Sequence, residues 1–180
     1  MLPLVVRKTI YMSLGQSYLQ WGSLVTGTTK QANLTRIEAT QNKLIRNLAD
    51  AKYNSHSLPI YHNIKLLKAT DLLFYNQVLF CYKFRMGDLP TTFNKNFTYS
   101  YENAERERRE DSYNFAVPKQ GLNQKFPLGE AIKAWNRLGI FYKSCFTYKE
   151  FKWEVKDHLL TKYSGFNCSK AVCHACDRLY

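Results

Sequence analysis

The residues best suited to chemistry are the cysteines and histidines near the end of the chain. Cys173 and Cys176 have the spacing with which two thiolates share one tetrahedral zinc ion. The second half of such a site is poor, because Cys168 lies only five residues before Cys173 and His174 is next to a ligand. His158 would complete a looser set with Cys168. We therefore predict no metal or cofactor site, with zinc bound by this tail as the alternative.

Carboxylates offer no better case for catalysis. Polymerase chemistry with two metal ions needs paired acidic ligands at the primer end, but no two aspartates of this chain are adjacent. The neighbouring carboxylates, Glu110 and Asp111, lie in a mixed-charge run that reads as solvated. There is no glycine-rich phosphate loop and no G-x-S-x-G motif, and neither His56 nor His62 has a local partner for nucleophilic catalysis. We predict that this chain alone is not an enzyme.

Charge points to a polyanionic partner. The 180 residues carry a formal net charge of +12, which favours nucleic acid first and an anionic membrane second. An ordinary basic protein without such a partner is the alternative. We predict RNA or DNA as the partner, with no small-molecule substrate and no membrane.

Two helical stripes carry the candidate contacts to phosphates. The six residues are Arg36, Lys43 and Arg46 on one helix and Lys149, Lys152 and Lys156 on another. Lysine and arginine bind phosphates through charge, with little dependence on sequence. The alternative is a solvated helix face of no special function.

The three tryptophans are candidates for stacking on bases. We expect Trp21 and Trp135 to fill the core instead. Trp153 projects away from the apolar face that contains Phe151, so it is the more open case.

These residues are positioned by predicted helices. Apolar periodicity predicts a mainly α fold, an irregular helical array with at most one small β-hairpin. The predicted helices cover about 3–24, then 30–49, a short helix from Ser57, 68–86, a turn from Pro90 toward Phe97, 128–138, and a last helix capped by Thr147. The uncharged run from Thr9 to Thr29 predicts a buried helix rather than a membrane span. The predicted hairpin pairs 113–117 with 125–126.

The predicted domains follow from composition. They are a helical subdomain over 1–97 with a central buried helix, a charged connector over 98–111, a hairpin plus two helices over 112–163, and a flexible cysteine-rich tail over 164–180. Five cysteines without a secretory signal predict reduced thiols in an intracellular protein, in the nucleus or the cytoplasm.

Five short patches occur in a fixed order along the chain. They are Ser-Tyr-Leu-Gln-Trp-Gly at 17–22, Gln-Asn-Lys-Leu-Ile-Arg at 41–46, Leu-Pro-Thr-Thr-Phe at 89–93, Trp-Asn-Arg-Leu at 135–138 and Glu-Phe-Lys at 150–152. Their order and spacing resemble the region downstream of the polymerase core in jockey-like reverse transcriptases of non-LTR retrotransposons. The resemblance covers about Pro3 to Tyr163. Gly139 departs from it, because the family usually has proline there.

This resemblance implies a mostly helical region that helps to hold template RNA or target DNA. It also implies that the chain is a C-terminal fragment of an RNA-directed DNA polymerase without the catalytic palm. The alternative is a domesticated helical module that binds protein.

Overall fold

The computed structural model of the protein describes residues 2–21, 31–100, 113–117 and 127–165. Its helices in chain order are α1 (Leu4–Ile10), a π-helical stretch (Tyr11–Gln16), α2 (Ser17–Gln20), α3 (Gln31–Leu48), α4 (Ser57–Ile64), α5 (Ala69–Arg85), a 3-10 helix (Thr91–Asn96), α6 (Pro127–Arg137), α7 (Ile140–Lys143) and α8 (Tyr148–Ser164). Among the described residues, β structure is limited to one antiparallel bridge, between Tyr99 and Phe115. The predicted mainly α fold is confirmed.

The chain forms two compact units. The first takes its described residues from Met1–Gly22, Lys30–Leu72 and Lys156–Tyr180, and the second takes them from Leu73–Val155. Both α5 and α8 supply residues to each unit. The subdomain boundary predicted near residue 97 stays a prediction. Most of the predicted connector and nearly all of the cysteine tail lie outside the described residues.

The N-terminal helix is more exposed than the sequence predicts. Val5 is 75% exposed and Leu14 is 70% exposed. Part of the reason is the π-helical stretch, since residues five apart share a face there. Tyr11 and Gln16 are buried, whereas Leu14 is turned outward. The expectation of a buried helix over this segment is therefore wrong.

Gln41 fixes α3 within the first unit. Its side chain is 2% exposed. The amide nitrogen donates hydrogen bonds to the Tyr11 hydroxyl at 2.9 Å and the Leu67 carbonyl at 3.0 Å. The amide oxygen accepts a bond of 2.7 Å from the N–H of Ala69, which starts α5 and has no partner within that helix. One amide thus connects three segments.

Tyr163 connects the end of α8 to the start of α5. Its hydroxyl donates to the carboxylate of Asp71 and accepts a hydrogen bond of 3.2 Å from the N–H of Lys68. Burial and the bond to Asp71 raise the pKa of Tyr163. The Tyr163 hydroxyl therefore stays protonated at pH values well above the ordinary pKa of tyrosine.

The second unit is built on an aromatic core. Its members are Tyr82, Phe84, Phe97, Phe115, Trp135 and Phe151. Tyr82 stacks on Phe151 with 4.2 Å between ring centroids, and Phe84 stacks on Phe97 at 4.0 Å. Such pairs add stability beyond the area that they bury.

Helix α5 is the most buried helix that the structure describes. Nine of its seventeen residues are buried: Ala69, Leu72, Leu73, Tyr75, Gln77, Val78, Leu79, Cys81 and Tyr82. This agrees with the apolar character of the sequence on all sides of this helix. Cys81 and Cys145 are free thiols in the interior, and burial raises the pKa of both.

Phe115 is held on two sides within the second unit. Asn136 donates to the Phe115 carbonyl at 2.8 Å and accepts from the Phe115 N–H at 3.0 Å. On the other side Phe115 forms the bridge with Tyr99. The predicted pairing partner at 125–126 lies outside the described residues.

The start of α8 confirms one prediction from the sequence and contradicts another. Thr147 caps the helix, because its hydroxyl accepts a hydrogen bond of 3.2 Å from the N–H of Glu150. The sequence also predicts that Phe146 packs against Phe151 as a hydrophobic staple. The prediction of this contact is wrong, since Phe146 is 90% exposed while Phe151 is fully buried.

Candidate nucleic-acid interface

Two residues of the basic stripe on α3 are exposed, and the third is hydrogen-bonded within the protein. At about 100° per residue, Arg36 and Lys43 lie about 20° apart around the helix, and both are exposed. Arg46 is half-buried, and its Nε donates a hydrogen bond of 2.7 Å to the Ser55 carbonyl. Arg36 and Lys43 are thus placed to contact a ligand, whereas Arg46 has a structural role.

Glu38, the carboxylate nearest in sequence to this stripe, already has partners on another segment. Glu38 accepts a hydrogen bond of 2.6 Å from the Thr70 hydroxyl and forms an ion pair of 3.4 Å with Lys68. It lies about 200° around the helix from Arg36. The positive charge of the stripe is therefore not neutralised from within α3.

The basic stripe on α8 is exposed at its N-terminal end. Lys149 and Lys152 are exposed and belong to the second unit, whereas Lys156 is half-buried and belongs to the first. The backbone below them is fixed, because the Tyr75 hydroxyl donates a hydrogen bond of 3.1 Å to the Lys152 carbonyl. Lys149 and Lys152 are the strongest candidates for contacts to phosphate.

Acidic residues of α8 occupy the opposite flank of its apolar face. Measured from Phe151 at about 100° per residue, the three lysines of the stripe lie between about 100° and 160°, and the acidic residues lie between about 240° and 300°. The acidic residues are Glu150, Glu154 and Asp157. The helix therefore has one basic and one acidic edge, a separation that sequence reasoning missed and that a helical projection would have found.

Trp153 extends the basic edge with an exposed aromatic ring. It is 64% exposed and lies one turn after Lys149 on the same side of α8. Its predicted openness is confirmed. An exposed indole at the side of a basic stripe has the composition of a surface that stacks on unpaired bases.

The other two tryptophans differ from each other. Trp135 is fully buried as predicted, and its Nε1 donates a hydrogen bond of 2.7 Å to the Tyr113 carbonyl. Trp21 is 84% exposed, so the expectation that it fills the core is wrong. Trp21 directly follows α2, where the backbone becomes extended, and it therefore leaves the helix face that packs inward.

A buried lysine in the second unit was also missed. Lys143 is 3% exposed, and its ammonium donates to the Asn114 side chain at 2.8 Å and to the Asn136 carbonyl at 3.3 Å. Burial lowers the pKa of Lys143. These partners are neutral, so the cation is held by hydrogen bonds. The short α7 gives no periodicity from which its burial could be read.

The described residues contain no candidate metal site. Among them, no group of three His, Cys, Asp or Glu residues is placed to hold a metal ion. His158 lies on α8, where burial and the charge of Lys162 lower its pKa, and its candidate cysteine partners lie outside the described residues. In the same ranges every helix is too short or too polar to cross a bilayer.

Comparison of the chain with models of protein families, with curated proteins and with solved structures gave no match in any of the three.

Proposed function

We propose that this chain is a nucleic-acid-binding C-terminal region of a non-LTR retrotransposon RNA-directed DNA polymerase, without the catalytic palm. The resemblance of five ordered patches supports the polymerase origin. The observation that carries the binding function is the basic edge of α8, where Lys149 and Lys152 are exposed beside an exposed Trp153.

The proposed binding combines charge with stacking. Lysine ammonium groups contact phosphates and release counterions, which makes affinity strongly dependent on salt. Stacking of a base on Trp153 adds about 1–3 kcal/mol and tolerates any base. Single-stranded RNA or DNA is therefore the expected ligand, bound with little preference for sequence.

No polymerase chemistry is proposed for the chain itself. Phosphoryl transfer by this class of enzyme requires carboxylates that hold two metal ions, and the sequence contains no adjacent aspartates. Primer extension by pure protein with magnesium and nucleotides should give no product above background. Template-dependent incorporation would contradict this part of the proposal.

Binding is tested with a triple variant, Lys43→Gln, Lys149→Gln and Lys152→Gln. All three lysines are exposed, so the fold should persist, and circular dichroism verifies this. In fluorescence anisotropy with single-stranded oligonucleotides, affinity at low salt should fall by at least about tenfold, equivalent to about 1.4 kcal/mol. The slope of log affinity against log salt should flatten by about two units, since each single-strand contact contributes about 0.7.

The matched control removes the same charge elsewhere. Lys52, Arg137 and Lys162 are exposed and lie outside both stripes, and their replacement by glutamine should reduce affinity much less. Equal losses in the two triple variants would mean that only net charge matters. A parent protein without salt-sensitive binding to RNA or DNA would overturn the proposed binding function.

The retrotransposon origin has its own test. The gene sequence immediately upstream should encode, in the same frame, a polymerase core with paired aspartates in a strand-turn-strand hairpin. An unrelated upstream sequence in an intact, expressed gene would instead support a domesticated module.

A further inference from the structure

The first unit contains an apolar groove that shares only Arg36 with the candidate nucleic-acid interface. Its volume is about 720 Å³, and it lies between the N-terminal helical segment and α3. Its apolar walls are formed by Ile10, Leu14, Tyr18, Ile37, Leu44 and Leu48. A volume of this size is within the range of ligand-binding clefts.

Two hydrogen bonds establish the relative orientation of the helical segments that line the groove. Arg7 donates a hydrogen bond of 3.2 Å to the carbonyl of Asn47, and the Tyr11 hydroxyl accepts one of 2.9 Å from Gln41. The two helical segments are therefore antiparallel, with Arg7 near one end of the groove and Arg36 near the other. The span from Arg7 to the last wall residue is about 16 Å, or about three helical turns.

The groove is positively charged at its rim and strongly apolar within. Arg7 and Arg36 are its charged lining residues, and the lining includes no carboxylate. The Nε of Arg7 is buried and has no hydrogen-bond partner among the described residues. An N–H left in this way is costly unless a bound group accepts it.

The walls are also unusually exposed for their residue type. Leu14 is 70% exposed, Tyr18 is 79% exposed and Leu44 is 46% exposed. Leu14 and Tyr18 are four residues apart, so they form a continuous apolar edge along the helical segment. Contiguous apolar surface rimmed by polar groups marks an interaction site.

We propose that this groove binds an amphipathic helix of about three turns from an acidic partner protein. Apolar residues one turn apart on that helix fill the groove, in the manner of helix-in-groove recognition. Carboxylates near its two ends pair with Arg7 and Arg36. The proposal does not depend on the nucleic-acid function, because the walls of the groove include none of the α8 lysines.

A second copy of the chain is disfavoured as the occupant. Packing two such grooves against each other would bring four arginines together without a carboxylate from either lining. Each chain also carries a net charge of +12, and like charges across an interface oppose association.

The test uses a fluorescein-labelled helical peptide of about 14 residues, long enough for three turns. It has leucines one turn apart on one face and glutamates at both ends. A control peptide has glutamine in place of every glutamate. Anisotropy with the full chain should show at least about tenfold tighter binding of the acidic peptide, equivalent to about 1.4 kcal/mol.

Variants locate the binding surface. Leu14→Glu should weaken binding of the acidic peptide by at least about tenfold, because it places a charge on the apolar wall. Val5→Glu is the matched control: Val5 is 75% exposed on α1 and is not part of the groove lining, so binding should be unchanged. Arg36→Glu should weaken the acidic peptide and restore affinity for a peptide with lysine at the corresponding end.

Four results would overturn the proposal. The first two are equal affinity for the acidic and glutamine peptides, and equal effects of Leu14→Glu and Val5→Glu on peptide binding. The third is displacement of the acidic peptide by a single-stranded oligonucleotide but not by unlabelled peptide. The fourth is a concentration-dependent dimer that Leu14→Glu abolishes. The last two would assign the groove to nucleic acid or to a second copy. Loss of oligonucleotide binding in a double variant, Lys149→Gln and Lys152→Gln, with peptide binding intact, would support two separate sites.

Discussion

The two units of this protein are stabilised by different chemistry. In the first unit, Gln41 and Tyr163 satisfy backbone and side-chain polar groups from several segments. In the second unit, stacked and edge-on rings join several segments into one aromatic core. The first unit is thus distinguished by its shared amide and hydroxyl groups, and the second by its packed rings.

Two of the ordered sequence patches have the same structural role, one in each unit. Gln41 begins the patch at 41–46, and Trp135 and Asn136 begin the patch at 135–138. Each patch supplies a side-chain amide that completes the hydrogen bonding of another segment's backbone. Both patches therefore contribute to the fold through hydrogen bonds to the backbone.

The largest expected effect is the loss of a ring from the second unit. Phe151 is fully buried and contacts both Tyr82 and Trp135. Phe151→Ala should lower the free energy of unfolding by about 3–5 kcal/mol, through lost burial and the cavity left behind. Urea denaturation followed by circular dichroism measures this. Phe146→Ala is the control, because Phe146 is 90% exposed, and a comparable loss there would contradict the assignment of the core.

A smaller but more specific effect is expected in the first unit. Gln41→Leu keeps most of the side-chain volume but leaves the Ala69 N–H and the Leu67 carbonyl buried without a partner. The expected cost is about 2–4 kcal/mol, since each unsatisfied group costs about 1–3 kcal/mol. Gln31→Leu, at an exposed position of the same helix, should change stability by less than about 0.5 kcal/mol.

A double-mutant cycle sharpens this prediction. Tyr11→Phe should destabilise the parent, whose Tyr11 hydroxyl bonds to Gln41, and should cost clearly less when Gln41 is already leucine. Additive losses in the double variant would show that the two side chains act independently.

Removal of the α8 cap should have a modest effect. Thr147→Ala deletes the hydroxyl that accepts the Glu150 N–H, at a cost of about 1 kcal/mol. Thr161→Ala is the control within the same helix, because its hydroxyl bonds only a carbonyl one turn earlier at an exposed position. If the two substitutions have the same effect on the urea midpoint, the cap does not stabilise the helix.

The smallest expected effect is a dependence of stability on pH that comes from Lys143. Burial holds the pKa of Lys143 below its ordinary value of 10.5. Between the two values the unfolded chain binds more protons than the folded chain, so the free energy of unfolding rises with pH in this window. Lys143→Met should lack this rise. Parallel pH curves for parent and variant would contradict the inference.

Long helices were predictable from the sequence because their apolar residues repeat without interruption. The helices expected over 30–49, 68–86 and 128–138 are observed as α3, α5 and α6 with ends shifted by one residue. The cap at Thr147 was also predictable, because it depends only on residues close in sequence. These elements are the ones in which local preference and tertiary packing agree.

The errors arose where geometry changes within a helix or where contacts are distant in sequence. The π-helical stretch alters which residues share a face, and no residue pattern in Tyr11–Gln16 announces it. The bridge between Phe115 and Tyr99 was not foreseen, because it joins residues distant in sequence. The predicted partner segment at 125–126 lies outside the described residues. In the candidate site, exposure of Lys149 and Lys152 followed from the helix pattern, whereas the bond between Arg46 and Ser55 required the tertiary structure.

The two interior thiols have a consequence for how motion in this protein can be observed. Cys81 and Cys145 are shielded from solvent, and burial raises the pKa of each. Thiolate is the form that reacts with alkylating reagents, so alkylation of either cysteine requires the surrounding structure to open. Peptide-resolved alkylation rates would therefore report local opening free energies of the second unit under native conditions. The same rates, measured with bound oligonucleotide or peptide, would show which ligand restrains that opening.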